Sequence, residues 1–349
     1  LFDFKEKPGQ LIDAYEDGKE RKGFFTDTSI CIGCKACEVA CKEWNEVPMK
    51  GDLELLESSY DNTGGLGANT WRHVAFIEQD QEQIQKARDS GAKLTALGMP
   101  SFGAPEKKQS TAKNVGMPEF GSPGVRIKEQ VDNPPNPDTP EFRWLMSSDV
   151  CKHCTFAGCL DVCPTGALYR TEHGTVVVQD DICNGCGTCV AGCPFGVIER
   201  RDTGTIHTKP DRTDSRYAME VKHAGTAKKC TLCYDRLVDG QTPACAKTCP
   251  TESIKFGTQT DMIDSAKERV TTMHEQGQTE ARLYGANPND GVGGIGSVFL
   301  LLDEPEVYGL PPDPQVPTKD LPAMYKRVGI AAAGMLAAAA TAFLGARKK

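Results

Sequence analysis

Two short apolar runs, Ala167-Leu168-Tyr169-Arg170 and Val176-Val177-Val178, flank the polar pair His173-Gly174, a pattern that predicts a β-hairpin. Farther along, Ser297-Val298-Phe299-Leu300-Leu301-Leu302 reads as a strand. Between them, apolar residues at 262, 263, 266, 270 and 273 recur at helical spacing. They predict a helix over 261–277 with Thr260 or Asp261 as N-cap, packed on the core. Val328 to Ala346 is 19 residues without a charge. As a helix it would span about 28 Å, close to the roughly 30 Å of a bilayer's hydrocarbon. It predicts a single transmembrane span. The run is alanine-rich, so insertion alone is marginal and close packing against a membrane partner is expected. An interfacial helix would need a charged face, which this run lacks; a soluble buried helix is the remaining alternative. Lys326 and Arg327 before it, against Arg347, Lys348 and Lys349 after it, lean toward a cytoplasmic C-terminus and an extracytoplasmic body.

Two stretches lack such patterns. Residues 88–141 are rich in Gly, Pro, Lys, Gln and Asn and predict a long surface insertion, irregular or wrapped on a partner. Residues 303–322 hold six prolines and predict an extended strap. Residues 1–30 show no charged start followed by an apolar run, so no signal peptide is visible.

The chemistry lies in the cysteines. All 16 fall into four motifs of four: Cys31, Cys34, Cys37 and Cys41; Cys151, Cys154, Cys159 and Cys163; Cys183, Cys186, Cys189 and Cys193; Cys230, Cys233, Cys245 and Cys249. The C-x2-C-x2-C-x3-C spacing of the first and third motifs wraps three thiolates around one cubane cluster. In two-cluster bacterial ferredoxins the fourth Cys of each run ligates the other cluster. The second and third motifs are joined by the predicted hairpin and pair as one compact ferredoxin, so the first and fourth pair across it. The crossing rule assigns Cys151, Cys154, Cys159 and Cys193 to one cluster and Cys183, Cys186, Cys189 and Cys163 to another. It assigns Cys31, Cys34, Cys37 and Cys249 to a third, and Cys230, Cys233, Cys245 and Cys41 to a fourth. The phrases Cys163-Pro-Thr-Gly-Ala-Leu, Cys193-Pro-Phe-Gly-Val-Ile and Cys249-Pro-Thr-Glu-Ser-Ile repeat one another, each placing an apolar residue under a cluster.

Zinc fits poorly, because a structural site uses two well-separated close pairs and would leave half of each motif without a role. A disulfide framework suits small secreted domains, whereas 349 residues can build a core without staples. His153 lies inside the second motif as a neighbour of the cluster rather than a ligand, since four thiolates are already supplied.

The formal charge of -8 falls to roughly -16 with four oxidised cubes at about -2 each, which argues against nucleic acid as a partner. Lys35, Lys42, Lys152, Lys228, Lys229 and Lys247 lie in or beside the motifs, where a cation raises a cluster's potential, although each taken singly reads as a solvated surface lysine. Gly291-Val292-Gly293-Gly294-Ile295-Gly296 matches a dinucleotide fingerprint by letter but precedes a strand instead of following one, so it reads as a loop. No phosphate loop, nucleophile elbow or zinc-protease motif is present and the six histidines are scattered, so no catalytic residue is expected in this chain.

Cys31-Ile32-Gly33-Cys34-Lys35-Ala36-Cys37-Glu38-Val39-Ala40-Cys41-Lys42-Glu43-Trp44-Asn45, Tyr60-Asp61-Asn62, the stretch Cys230-Thr231-Leu232-Cys233-Tyr234-Asp235-Arg236 through Pro243-Ala244-Cys245-Ala246-Lys247-Thr248-Cys249-Pro250-Thr251, and Gly291-Val292-Gly293-Gly294 resemble the β (iron-sulfur) subunit of membrane-bound formate dehydrogenases. The resemblance implies four [4Fe-4S] clusters in a line between a molybdenum- or tungsten-bis-pterin catalytic α subunit and a membrane cytochrome b γ subunit. It also implies a shared C-terminal span, and export of the body with a catalytic subunit that bears the twin-arginine signal. The alternative is the iron-sulfur subunit of another molybdopterin reductase, such as a polysulfide or dimethyl sulfoxide reductase. The expected fold is α+β: duplicated bacterial-ferredoxin-like modules with insertions, plus a C-terminal single transmembrane helix. Residues 22–50 with 222–260 would form the module of motifs 1 and 4, and 142–221 that of motifs 2 and 3. Residues 51–141 would be a partly irregular insertion, 261–322 a helix and partner-docking strap, and 323–349 the anchor.

Overall fold

The computed structural model describes residues 20–48, 61, 63–96, 138–201, 225–318 and 321–346. Strand β1 (Lys22–Asp27) leads into the first cysteine motif and helix α1 (Ala36–Trp44). A ribbon follows, made of β2 (Arg72–Asp80) and β3 (Phe142–Val150), with α2 (Gln81–Ala96) after its first strand. The second and third motifs carry α3 (Gly158–Asp161), β4 (Leu168–Arg170), β5 (Val176–Val178), α4 (Thr188–Gly192) and β6 (Glu199–Arg200). β7 (Ala227–Lys228), α5 (Tyr234–Val238) and α6 (Ala244–Thr248) surround the fourth motif. β8 (Ile254–Thr258), α7 (Gln259–Glu275), β9 (Arg282–Tyr284), β10 (Ser297–Leu301) and α8 (Leu321–Ala346) complete the order.

The largest sheet runs β8-β1-β10-β9, with β1 parallel to β10 and the outer pairs antiparallel. Every residue of β10 is buried, and after Ser297 it is an uninterrupted apolar run, as a strand in the middle of a sheet requires. Phe24, Phe25, Phe299 and Leu300 are at most 1% exposed, and full burial of side chains of this size stabilises by about 1.5–3 kcal/mol each. α7 covers the sheet with Ala266, Val270 and Met273. The apolar stripe read from the sequence is therefore the buried face, but the helix starts earlier than expected. Thr258 is the cap, its Oγ1 accepting from the Asp261 backbone N–H at 3.1 Å.

The expected hairpin is present: β4 and β5 pair antiparallel, with Tyr169 opposite Val177 and the turn at residues 171–175. The reading of 88–141 as irregular is corrected at its start, where α2 continues to Ala96. Ile84 and Ala87 of that helix are at most 1% exposed, and they pin it against the ribbon. Residues 97–137 lie outside the described residues. The proline-rich stretch holds a short 3-10 turn at Pro305–Tyr308 and buries Tyr308, Leu310 and Val316, so it is packed along the body.

Among the described residues, no helix is long and apolar enough to cross a membrane. α8 nevertheless extends over 26 residues, and its Val328, Ile330, Met335 and Leu336 are 63–72% exposed. The flanking Arg347, Lys348 and Lys349 lie outside the described residues.

Candidate metal centres

Each motif bends at the same place. The residue before the second cysteine adopts a left-handed conformation in all four: Gly33 at φ 66°, His153 at 44°, Gly185 at 71° and Leu232 at 61°. That reversal turns successive thiols to one side. Glycine adopts it freely, whereas His153 and Leu232 hold it at a steric cost that buried surroundings must offset.

The thiols gather across motifs. Cys31, Cys34 and Cys37 stand with Cys249 around a hollow that Val74, Ser148 and Ile254 help to close. Cys151, Cys154 and Cys159 stand with Cys193 around another, lined by Val176, Phe195, Val197 and Lys229. Cys41 lies among Cys230, Cys245 and Cys233; its thiol is pushed well up first by burial and then by the charges of those three. Cys189 is pushed up to about 11 by burial, then by Cys183, Cys163 and Cys186.

Neighbouring sets also touch electrostatically. Burial, partly opposed by the Lys229 cation, pushes Cys159 up to about 12, and Cys189 of the adjoining set adds to the rise. Cys230 is raised by burial and then by Cys151. Burial pushes Cys37 up to about 11, with Arg72 opposing and Cys245 adding to the rise. The four sets thus follow one order: Cys163/183/186/189, then Cys151/154/159/193, then Cys41/230/233/245, then Cys31/34/37/249. Only Cys186 in the first set and Cys34 in the last are exposed.

Hydrogen-bond donors reach sulfurs of three of the four sets. Leu232 N–H points at Cys230 Sγ at 3.3 Å and Ala227 N–H at Cys183 Sγ at 3.5 Å. Asn45 Nδ2 reaches Cys41 and Cys233 Sγ at 3.7 and 3.8 Å. Ser148 Oγ lies 3.2 Å from Cys37 Sγ, and Thr188 Oγ1 lies 3.2 Å from Cys186 Sγ. Such donors favour the charged form of sulfur.

A family described as a 4Fe-4S dicluster domain matches residues 142–223 and 215–259. The nitrate-inducible formate dehydrogenase iron-sulfur subunit of Escherichia coli (strain K12) is 32% identical over 306 residues, covering 86% of this chain and 76% of its own. The chain belongs to the family of formate dehydrogenase iron-sulfur subunits. The corresponding subunit of Haemophilus influenzae is 32% identical over 304 residues, 86% of this chain and 72% of its own. The thiosulfate reductase electron transfer subunit PhsB of Salmonella typhi is 40% identical over 232 residues, a shorter 66% of this chain and 72% of its own.

Iron-sulfur clusters fit a formate dehydrogenase iron-sulfur subunit of this shape. The thiols surround hollows and do not converge on a point: among the described residues, no group of three or more His, Cys, Asp or Glu is placed to hold a single metal ion. A cube has the width to meet thiolates so spread, while zinc draws its sulfur ligands to about 2.3 Å.

Sequence reading misplaced several neighbours. Lys152, Lys229 and Lys228 are only 1%, 2% and 5% exposed, so the solvated-surface reading fails for all three. Lys229 Nζ donates to the Val176 and Cys230 carbonyls, and Lys152 Nζ lies 5.1 Å from the Phe299 ring centre while pairing with Asp149. Lys247 is exposed as read. The loop 291–296 has a structural use: the Phe156 and Thr155 N–H groups donate to Val292 and Gly294 carbonyls at 2.7 and 3.0 Å, clamping the second motif. Gly293, at φ 72°, faces the Phe156 ring where a Cβ would collide. His153 Nδ1 accepts from the Val176 N–H at 3.1 Å, and burial holds its pKa well below 6.5, so it is a neutral neighbour of the thiols. Arg72 was missed altogether, because it lies 31 residues after Cys41 with no spacing signal.

Proposed function

We propose that this chain is an electron-transfer subunit carrying four [4Fe-4S] clusters. It relays electrons from a molybdenum- or tungsten-bis-pterin catalytic subunit that oxidises formate to CO2 toward a membrane cytochrome b and quinone. The flow is reversible in principle, and no residue of this chain need touch formate. The observation that carries the reading is the single order of four cross-motif thiol sets, with exposed thiols only at its two ends.

When bound, the clusters supply one-electron storage at potentials tuned by charge, hydrogen bonds and exposure. The chain's own residues do the rest. All 16 cysteines act as ligands in the four crossed sets. Val74, Ile254, Val176 and Phe195 exclude water from two of the hollows, and N–H and O–H donors hold charge on sulfur. Ile32 and Val39 near Cys34, and Ile182 and Val190 near Cys186, are 38–58% exposed, giving each end an apolar docking rim.

The proposed direction of the relay rests on α8. Thr318 Oγ1 donates to Asp161 Oδ2 at 2.8 Å just before that helix begins, so the tail leaves the body beside the second and third motifs. The Cys186 end then faces the membrane and the Cys34 end the catalytic subunit. α8 acts as a single-pass anchor, its exposed apolar side chains packed on helices of the membrane partner, with the body outside the cytoplasm. The same relay serving another molybdopterin reductase is a second reading, favoured by the likeness to the thiosulfate reductase subunit.

Cys245→Ala tests the relay. Formate-to-quinone electron transfer should be lost while formate oxidation with a soluble dye partly survives; equal loss of both contradicts a wire. The catalytic chain that co-purifies decides between the two readings.

A further inference from the structure

We infer that Arg72 is a positioning residue shared by two neighbouring sets, Cys41/230/233/245 and Cys31/34/37/249, and that its buried cation raises the reduction potential of both relative to the other two. The inference rests on the four-cluster reading above.

Arg72 opens β2 and is 1% exposed. Its Nη2 donates toward Cys245 Sγ at 3.5 Å. Its Nη1 donates to the Ser148 carbonyl at 3.0 Å and to Ser148 Oγ at 3.1 Å, and that hydroxyl lies 3.2 Å from Cys37 Sγ. One side chain therefore bridges a sulfur of each set, directly on one side and through a single serine on the other. The Phe24 ring, 4.9 Å from the guanidinium carbon, covers it from water.

A buried cation without a counter-charge is strongly unfavourable. Among the described residues no carboxylate forms an ion pair with Arg72, and Nε has no hydrogen-bond partner. The negative charges available to it would be those the sulfurs carry as cluster thiolates: burial opposes its charge, while Cys245, Cys37, Cys230 and Cys41 all favour it. The two sets thus supply the counter-charge. Reduction of a cluster held by either set would add one negative charge there, which a fixed cation at its edge would favour. An arginine serves here better than a lysine alone would, because its fork reaches Cys245 and Ser148 at once.

The test is a potentiometric titration of the intact complex, followed by paramagnetic resonance, for the parent, Arg72→Met, Arg72→Lys and Ser148→Ala. Arg72→Met should lower two of the four midpoints, each by at least a tenfold change in the reduced-to-oxidised ratio at fixed potential, about 59 mV for a one-electron couple, leaving the other two in place. Arg72→Lys should recover most of the shift. Ser148→Ala, which cuts Arg72 off from Cys37 but keeps the cation, should lower one midpoint by less than tenfold. Four unmoved midpoints in an iron-replete Arg72→Met protein, or a lysine variant no better than methionine, overturn the inference. If Arg72→Met holds no iron, Arg72→Gln, which keeps a side-chain donor but removes the cation, decides: two lowered midpoints support the shared cation, and none overturns it. Absence of cluster signals from the parent complex would instead overturn the four-cluster reading.

Discussion

Cys193 belongs by sequence to the third motif, yet its side chain stands with Cys151, Cys154 and Cys159 around one hollow. Cys193→Ala should therefore damage the centre of the second motif and spare that of its own. A cube left with three thiolates either loses one iron or is lost, so the variant should fall by about 1 to 4 irons from about 16 per chain. Double variants make the assignment quantitative. Cys154→Ala with Cys193→Ala strikes one set twice and should cost no more than about 4 irons. Cys186→Ala with Cys193→Ala strikes two sets, and its loss should approach the sum of the single losses, up to about 8. Metal analysis of anaerobically purified protein gives the counts. Paramagnetic resonance after dithionite gives the identity of the missing signal, which should match that of Cys154→Ala. A spectrum of Cys193→Ala that matches Cys186→Ala, or additive losses in the Cys154/Cys193 pair, would refute the crossing.

Two further outcomes follow. His73 hydrogen-bonds Thr63 Oγ1 at 2.7 Å, and burial holds its pKa below 6.5 against the pull of Asp61 and Glu38. Folded His73 resists a proton that the unfolded chain accepts, so its contribution is full above about pH 6.5 and is lost as pH falls through the lower folded value. The half-life for bleaching near 400 nm should be flat from about pH 7 to 8 and shorten below about 6.5, less steeply in His73→Asn; a lifetime that lengthens on acidification contradicts this. Removing residues 319–349 should leave the iron content and dye-linked formate oxidation of the complex intact but release this chain's hold on the membrane partner, read as loss of quinone-linked activity. Unchanged quinone-linked activity would show that α8 is not the anchor.

What was legible in the sequence was local. The alternation around His173-Gly174 is enough to set the β4–β5 hairpin, and a stripe at 266, 270 and 273 is enough to set the buried face of α7. The cysteine motifs were legible because ligand spacing is a property of short loops. The β8-β1-β10-β9 sheet was not, since β1 pairs with β10 across more than 270 residues and Lys22–Asp27 carries no strong strand pattern of its own. Local charge gave the wrong environment for Lys152 and Lys229, whose stems are buried by Phe299, Phe195 and the fold around Val176. Arg72 was invisible for the same reason: its partners, Ser148 and Cys245, come from β3 and the fourth motif, and only tertiary structure brings them to one point.

Iron counting on the whole chain, purified with its partner subunits under anaerobic conditions and corrected for iron in those partners, is the most direct check on the relay. Four cubes require about 16 irons in this chain, with paramagnetic signals from four interacting centres on stepwise reduction. A chain with stoichiometric zinc, or one with far fewer irons and no signal after dithionite, cannot be the wire described above.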